Sequence, residues 1–158
     1  MTLTESVQSV VMKNYFNLQG RASRSEYWWF ALAYVLGGLV VSLLGSVVLV
    51  WIYQLALFLP FLGVGFRRMQ DTGRPGWYYL IPMIYSLLSQ LLVPGSTVEF
   101  DPETGMPLEM PEMGTVALGG ILGLIGIVMA IVYLWWLTRP SEPGVNSYGP
   151  PPAEAATS

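Results

Sequence analysis

The sequence predicts an all-α membrane protein: a four-transmembrane-helix bundle with a short amphipathic N-terminal helix. Of its 158 residues, 53% are hydrophobic and only 11% are charged, whereas soluble domains carry about 25% charged residues. Three uncharged stretches, 27–66, 75–98 and 113–138, are each long enough to cross a bilayer, which takes about 20 apolar residues. They lack the period-two alternation of barrel strands, so we expect helices.

Residues 1–26 are predicted to form a cytoplasmic amphipathic segment, because their apolar side chains recur at helical spacing behind a candidate N-cap, Ser6. The segment either lies flat on the membrane surface or is a short frayed helix without lipid contact. Ser23 and Glu26 have the spacing of a capping box. This pair predicts the start of the first membrane helix.

The membrane domain is predicted to cover residues 27–138. Its first uncharged stretch would make a single helix about 60 Å long, twice the hydrocarbon thickness of a bilayer. Two helices must therefore share it, joined by a hairpin between Gly45 and Gln54. The predicted helices are about 27–47, 51–70, 76–93 and 115–137, with an acidic external loop at 94–114.

The charges predict the orientation of these helices. All seven basic residues fall on one side of the predicted topology. Loop 94–114 lies on the other side, and all of its charged residues are acidic. The positive-inside rule then predicts a multi-pass membrane protein with both termini in the cytoplasm. The C-terminal tail, 139–158, is rich in Pro, Gly, Ala and Ser, so we expect it to be mostly disordered.

Arginines and tryptophans supply the candidate site. We expect them to converge at one membrane depth, where anionic lipid headgroups or a phosphorylated ligand bind. In the alternative interpretation the arginines are topology signals that form structural ion pairs with Glu26 and Asp71. The candidate anion- and lipid-binding residues are Arg21, Arg24, Arg67, Arg68, Arg74, Trp28 and Trp77.

The residue types that the sequence lacks argue against several classes of function. The chain has no Cys and no His, so we expect no disulfide, no metal site and no cofactor. We also expect no enzymatic activity, because a serine nucleophile would lack its base and no carboxylate lies in a predicted span. Missing intramembrane carboxylates also argue against ion-coupled transport.

Two other hypotheses stay open, as does the choice of partner. A small-solute transporter or channel, monomeric or oligomeric, would use polar residues of the third helix, namely Tyr85, Ser86, Ser89 and Gln90. An enzyme acting on lipid would use Asp71 and Glu26. Membrane lipids are the expected partners, a protein partner or a homo-oligomer is open, and no nucleic acid is expected.

Three segments carry a family resemblance. They are Tyr15–Phe30, with its Gly-Arg, Ser-Arg, Glu and paired aromatics; Arg67–Trp77, with its Asp-Thr-Gly; and the closing turn Pro143–Pro150. Together they resemble the small bacterial inner-membrane proteins of the YhaH type, a domain-of-unknown-function family (DUF805). The resemblance implies a helical inner-membrane protein without established activity. Gln70 stands where the family has His, and the inserted acidic loop and fourth helix leave the sidedness of the closing turn open.

Overall fold

The computed structural model describes residues 1–93, 101–105 and 112–153. These residues form helices and turns, and the described part contains no strand beyond an isolated bridge between Asn146 and Gly149. The all-α prediction is therefore confirmed. In chain order the helices are α1 (Leu3–Val7), a π-helix (Gln8–Lys13), α2 (Arg24–Leu43), α3 (Val47–Asp71), a 3-10 helix (Gly76–Leu80), α4 (Ile81–Leu92) and α5 (Met113–Thr138).

The chain divides into two compact units. The first unit comprises Met1–Tyr79 and Trp135–Ser158, and the second comprises Leu80–Leu134. The first unit holds the N-terminal helices, the α2–α3 pair, the 3-10 helix and the last turn of α5. The second unit holds α4 and the rest of α5. The candidate arginines therefore all belong to the first unit.

Helices α2 and α3 form a hairpin. The Ser23 hydroxyl accepts a hydrogen bond from the Glu26 amide at 3.1 Å and caps α2. The turn falls at Gly45, whose φ of 69° suits glycine, and Ser46 then caps α3. Helix α3 therefore begins at Val47, earlier than the predicted start near residue 51, because the Gly-Ser pair supplies both the turn and the cap.

A proline lies inside α3 and leaves a carbonyl to be satisfied. Pro60 has no amide hydrogen, so it cannot bond the carbonyl four residues earlier. That carbonyl, on Ala56, instead accepts a hydrogen bond from the Tyr15 hydroxyl at 2.6 Å. The N-terminal segment thus supplies the donor that the helix lacks.

Close packing joins α3 to the 3-10 helix. A Cβ added at Gly65 would lie well inside contact distance of the Tyr79 ring. The Tyr79 hydroxyl in turn lies 3.3 Å from the Tyr27 hydroxyl on α2. Gly65 therefore makes room for an aromatic side chain that links three elements of the first unit.

The predicted third membrane helix, about 76–93, is two shorter helices. Helix α4 has 12 residues, which rise about 18 Å, short of the roughly 30 Å hydrocarbon thickness. Pro82 lies in its first turn, where the missing amide hydrogen costs nothing. In the described residues three helices, α2, α3 and α5, are long and apolar enough to cross a membrane, so the predicted four-helix bundle is not confirmed.

The second unit pairs α4 with α5. The Tyr85 hydroxyl on α4 donates to the Leu122 carbonyl on α5, and a Cβ added at Gly126 would meet the Tyr85 ring at 3.3 Å. The predicted acidic loop 94–114 lies mostly outside the described residues. Within it, the amides of Glu103 and Thr104 donate to the Asp101 carboxylate, which lowers the pKa of that carboxyl.

Candidate functional site

The C-terminal end of α3 sets the position of the site. Gly73 adopts a φ of 75°, and its amide donates to the Gln70 carbonyl at 3.1 Å. The Arg74 amide donates to the Met69 carbonyl at 3.1 Å, which completes a Schellman motif. This motif stops the helix just after Asp71, so that Asp71 lies in its last turn.

Asp71 is the centre of a buried cluster. Its Oδ1 accepts from Arg21 Nε at 2.9 Å, and its Oδ2 accepts from Arg68 Nη1 and from the Ser141 hydroxyl. The three charged side chains are at most 1% exposed. We call Arg21, Arg68, Asp71 and Ser141 the Asp71 cluster. The Asp71 carboxylate thus gives each of the two buried guanidinium groups an anionic partner in place of water.

Arg68 also satisfies the C-terminal end of α5. Its Nε donates to the Leu137 carbonyl at 3.0 Å and its Nη2 donates to the Arg139 carbonyl. The last carbonyls of a helix lack partners within the helix and carry partial negative charge. Arg68 therefore links the end of α3 to the end of α5.

Arg21 holds the C-terminal tail. Its Nη1 donates to the carbonyls of Gly144 at 2.6 Å and Gly149 at 3.4 Å, and its Nη2 donates to the Glu142 carbonyl. The Asn146 side-chain amide also donates to the Gln70 carbonyl at 3.0 Å. The tail was expected to be mostly disordered, with the disorder placed beyond about Pro150; these hydrogen bonds order it to Gly149, and composition does not reveal the arginine that supplies the donors.

The Arg21 contacts predict how the tail responds to mutation. In Arg21→Ala we expect the tail to detach from α3, because the donors to its carbonyls disappear. Limited proteolysis of the full chain in detergent should then cut the tail faster than in wild type. Arg24→Ala, which removes an exposed arginine, is the matched control and should cut at the wild-type rate. Equal protection in both variants would show that Arg21 does not hold the tail.

A second buried ion pair joins α2 to α3. Arg67 Nη1 donates to Glu26 Oε1 at 3.1 Å, and the Ser9 hydroxyl donates to the same oxygen at 2.9 Å. The Ser6 hydroxyl donates to the Glu26 carbonyl at 2.6 Å. Ser6 is therefore buried against α2, and its predicted capping role is wrong because Thr2 caps α1. These contacts pack the N-terminal segment onto the first unit.

Arg24 has a different environment from the buried arginines. It is exposed and has no hydrogen bond or ion pair with any residue in the described ranges. With Trp28, Ser25 and Thr138 it lines a surface groove of about 330 Å³. The groove thus presents a guanidinium, an indole and a hydroxyl at the first turn of α2.

Two more arginines lie over tryptophan rings at the end of α5. Arg74 Cζ is 5.2 Å from the centre of the Trp136 ring, and Arg139 Cζ is 4.6 Å from that of Trp135. The Arg74 Nη1 also donates to the Thr72 carbonyl at 3.1 Å, and a cation–π contact leaves the other guanidinium N–H groups available for partners. Trp77, a predicted site residue, contacts Tyr78 at 4.5 Å between ring centroids.

The predicted candidate residues thus fall into two sets. Three arginines, Arg21, Arg67 and Arg68, are buried and bonded to carboxylates or carbonyls. Arg24 and Arg74 contact or neighbour aromatic rings nearer the surface. Sequence reasoning missed the tail acceptors, the hydroxyl of Ser141 and the serines of the N-terminal segment. The only sequence signal for the tail was its Gly-x-Asn turn.

The polar residues of the transporter hypothesis are bonded locally. The Ser89 hydroxyl donates to the Ser86 carbonyl at 2.9 Å, and the Gln90 amide donates to the same carbonyl at 3.1 Å. Tyr85, Ser89 and Gln90 line a groove of about 420 Å³ beside the glycines of α5. Within the described residues no group of three His, Cys, Asp or Glu side chains is placed to hold a metal ion.

Most of the chain matches a known protein family. Residues 15–150 match the family model described as "Protein of unknown function (DUF805)". The chain belongs to the DUF805 family. Its DUF805 segment contains the whole Asp71 cluster, from Arg21 to Ser141. The matched segment begins at Tyr15, whose hydroxyl donates to the Ala56 carbonyl that Pro60 cannot bond.

Relatives of this DUF805 chain are inner membrane proteins. It is 40% identical over 87 residues to "Inner membrane protein YhaH" of Escherichia coli strain K12, covering 47% of this chain and 72% of that protein. It is 38% identical over 77 residues to "Inner membrane protein YhaI" of the same strain, covering 45% of this chain and 65% of that protein. No solved structure matches it. These relatives are named inner membrane proteins, and three of the described helices of this chain are long and apolar enough to cross a membrane.

Proposed function

We propose that this protein binds the headgroups of anionic lipids at the inner face of the membrane, through arginines that are not buried. We call Arg24, Arg74 and Arg139 the surface arginines. In this proposal the chain crosses the membrane several times, has both termini in the cytoplasm and catalyses no reaction. A protein partner on the same surface is the alternative.

The observation that carries the proposal is the groove at the start of α2. Arg24 lines it without an acceptor among the described residues, and Trp28 supplies an indole of the kind that prefers the headgroup region. Ser25 and Thr138 add small polar side chains to the lining. The guanidinium can bind a lipid phosphate while the neighbouring indole contacts the glycerol region of the same lipid.

The ends of α3 and α5 add two cations with the same surroundings. Arg74 and Arg139 lie over Trp136 and Trp135, so each combines a charge with an interfacial ring. Membrane-proximal arginines are attracted to the anionic cytoplasmic leaflet. Arg21, Arg67 and Arg68 are left out of the proposal because their side chains are buried and each is paired with a carboxylate.

The proposal predicts a selective loss of lipid binding. The triple variant Arg24→Gln, Arg74→Gln, Arg139→Gln should lose affinity for phosphatidylglycerol over phosphatidylcholine. Each arginine near an anionic surface contributes about 1 kcal/mol, so the combined loss should be about 100-fold. Native mass spectrometry of the full chain, titrated with each lipid, measures this ratio.

The matched control is Lys13→Gln, which removes one exposed cation outside the proposed surface. It should weaken binding by no more than about fivefold, the generic effect of one charge near the membrane. A triple variant that keeps the wild-type lipid ratio would contradict lipid binding and favour the protein partner. A reporter fused after Arg139 tests the topology, since a periplasmic signal there would exclude a cytoplasmic C terminus.

A further inference from the structure

The buried arginine of the second ion pair has an unused edge. Arg67 is only 4% exposed, and its Nη1 bonds Glu26. Its Nε and Nη2 have no hydrogen-bond partner among the described residues. These two nitrogens form the side-on edge of a guanidinium, where two N–H bonds point in parallel. That edge is the geometry with which arginine binds the two oxygens of a carboxylate or phosphate.

The buried charges around this edge do not balance. The cations are Arg21, Arg67 and Arg68, and the anions are Glu26 and Asp71. One positive charge is therefore in excess among the buried side chains of these ion pairs. An uncompensated buried charge is costly unless an anion joins it. The excess arises because Arg21 and Arg68 share the Asp71 carboxylate, whereas Glu26 pairs with Arg67 alone; the unused edge belongs to Arg67.

A third unpartnered atom lies on the same helix. Gln70 Oε1 is buried without a hydrogen-bond donor among the described residues, while its Nε2 donates to the Leu18 carbonyl at 3.0 Å. Residues three apart on a helix are neighbours on one face. Two free donors and one free acceptor thus belong to adjacent side chains. They complement a ligand that carries both an oxyanion and a hydroxyl.

The N-terminal segment contacts this ion pair. Ser6 and Ser9 bond the Glu26 backbone and carboxylate, and Val10 is fully buried. Residues Gln8–Lys13 form a π-helix, an arrangement that is rare and frequent at functional sites. A ligand that enters beside Glu26 would have to displace the hydrogen bonds that the Ser6 and Ser9 hydroxyls donate.

We propose that the side-on edge of Arg67 binds a phosphate group beneath the N-terminal segment, with Gln70 accepting a hydrogen bond from a hydroxyl of the same ligand. The phosphate is either inorganic phosphate or the phosphodiester of a glycerol-containing lipid headgroup. The site is distinct from the surface arginines, and its ligand supplies the missing negative charge. Binding there also fixes the N-terminal segment, because Glu26 connects the two.

The experiment uses the full chain in detergent, after extensive washing. Inorganic phosphate is titrated while the unfolding temperature is recorded, with chloride at equal ionic strength as reference. In parallel, the lipid phosphorus that stays with the protein is measured after organic extraction. Arg67→Lys keeps the charge and the approach to Glu26 but removes the parallel donors, so binding should weaken by at least about tenfold.

Each outcome has a defined meaning. Phosphate that raises the unfolding temperature of wild type but not of Arg67→Lys identifies free phosphate as the ligand. If phosphate has no effect, and wild type retains lipid phosphorus that Arg67→Lys loses, the ligand is a lipid phosphodiester. Equal behaviour of the two proteins in both arms overturns the proposal. If Arg67→Lys does not fold, a wild type that neither responds to phosphate nor retains lipid phosphorus overturns it as well.

Arg24→Gln is the control that separates this site from the surface arginines. Its unfolding temperature should respond to inorganic phosphate as that of wild type does, because Arg24 lies in the exposed groove. Its retained lipid phosphorus should fall only by the share that the surface arginines bind. A loss of bound phosphate in Arg24→Gln with retention in Arg67→Lys would contradict the buried site and leave the proposed lipid surface standing. The reverse pattern supports the buried site whatever the triple variant shows.

Discussion

Replacing Asp71 with Asn is expected to lower the free energy of unfolding by about 3–5 kcal/mol, the cost of removing one partner from a buried ion pair. The Asp71 carboxylate bonds Arg21 and Arg68 and is fully buried. Asn has the same shape but no charge, so both guanidinium groups would lose their anion. Since proteins are stable by only about 5–15 kcal/mol, the variant should unfold much more readily.

Chemical or thermal unfolding of the full chain in a mild detergent measures this effect. Asp101→Asn is the matched control, because the half-exposed Asp101 carboxylate accepts hydrogen bonds from the Glu103 and Thr104 backbone amides and from the Thr104 side chain rather than from a guanidinium. Adding Arg21→Gln to the Asp71→Asn background should cost less than Arg21→Gln alone, since its ion-pair partner is already gone. A loss of stability in Asp71→Asn no larger than in Asp101→Asn would show that the Asp71 cluster is not essential to the fold.

Gly65→Ala should be the second most damaging substitution. Its new methyl group would overlap the Tyr79 ring, and overpacking of this kind costs about 1–3 kcal/mol. If the ring moves away, the contact of its hydroxyl with Tyr27 is lost as well. The expected result is a lower unfolding temperature, although Ala is the better helix former.

Gly120→Ala is the matched control, because Gly120 lies in α5 with nothing within 4 Å of an added Cβ. Helix propensity alone should leave that variant as stable as wild type or slightly more so. The damage at Gly65 should largely disappear in the double variant Gly65→Ala, Tyr79→Ala, measured against Tyr79→Ala alone. Persistence of the full loss in that background would place its cause elsewhere than the Tyr79 ring.

Local signals in the sequence predicted local structure well. Ser23 marked the start of α2 because a hydroxyl before an apolar run caps a helix, and Gly73 marked the end of α3 because it tolerates positive φ. The start of α3 was misplaced because a long apolar run hides where it turns. The length of α4 was misjudged because hydropathy does not distinguish a 3-10 turn from an α-helix.

The arginine environments could not be predicted because their partners are distant in sequence. Arg21 bonds the carbonyl of Gly144, 123 residues away, and Arg68 bonds that of Leu137, 69 residues away. Backbone carbonyls belong to every residue and leave no compositional trace. The sequence therefore indicated that Asp71 and Glu26 have arginine neighbours, but it did not reveal which arginines are buried.

The bond between Arg68 and the end of α5 has a consequence for biogenesis. At about 5–20 residues per second, a ribosome needs several seconds to make the 69 residues between Arg68 and Leu137. During that interval the residues of α2 and α3 have been made, but two of the carbonyl acceptors of Arg68, those of Leu137 and Arg139, have not. A chain truncated before Leu137 never reaches the finished state. In such a chain Arg68 keeps the Asp71 carboxylate and the Ala22 carbonyl as its acceptors and lacks those at the end of α5.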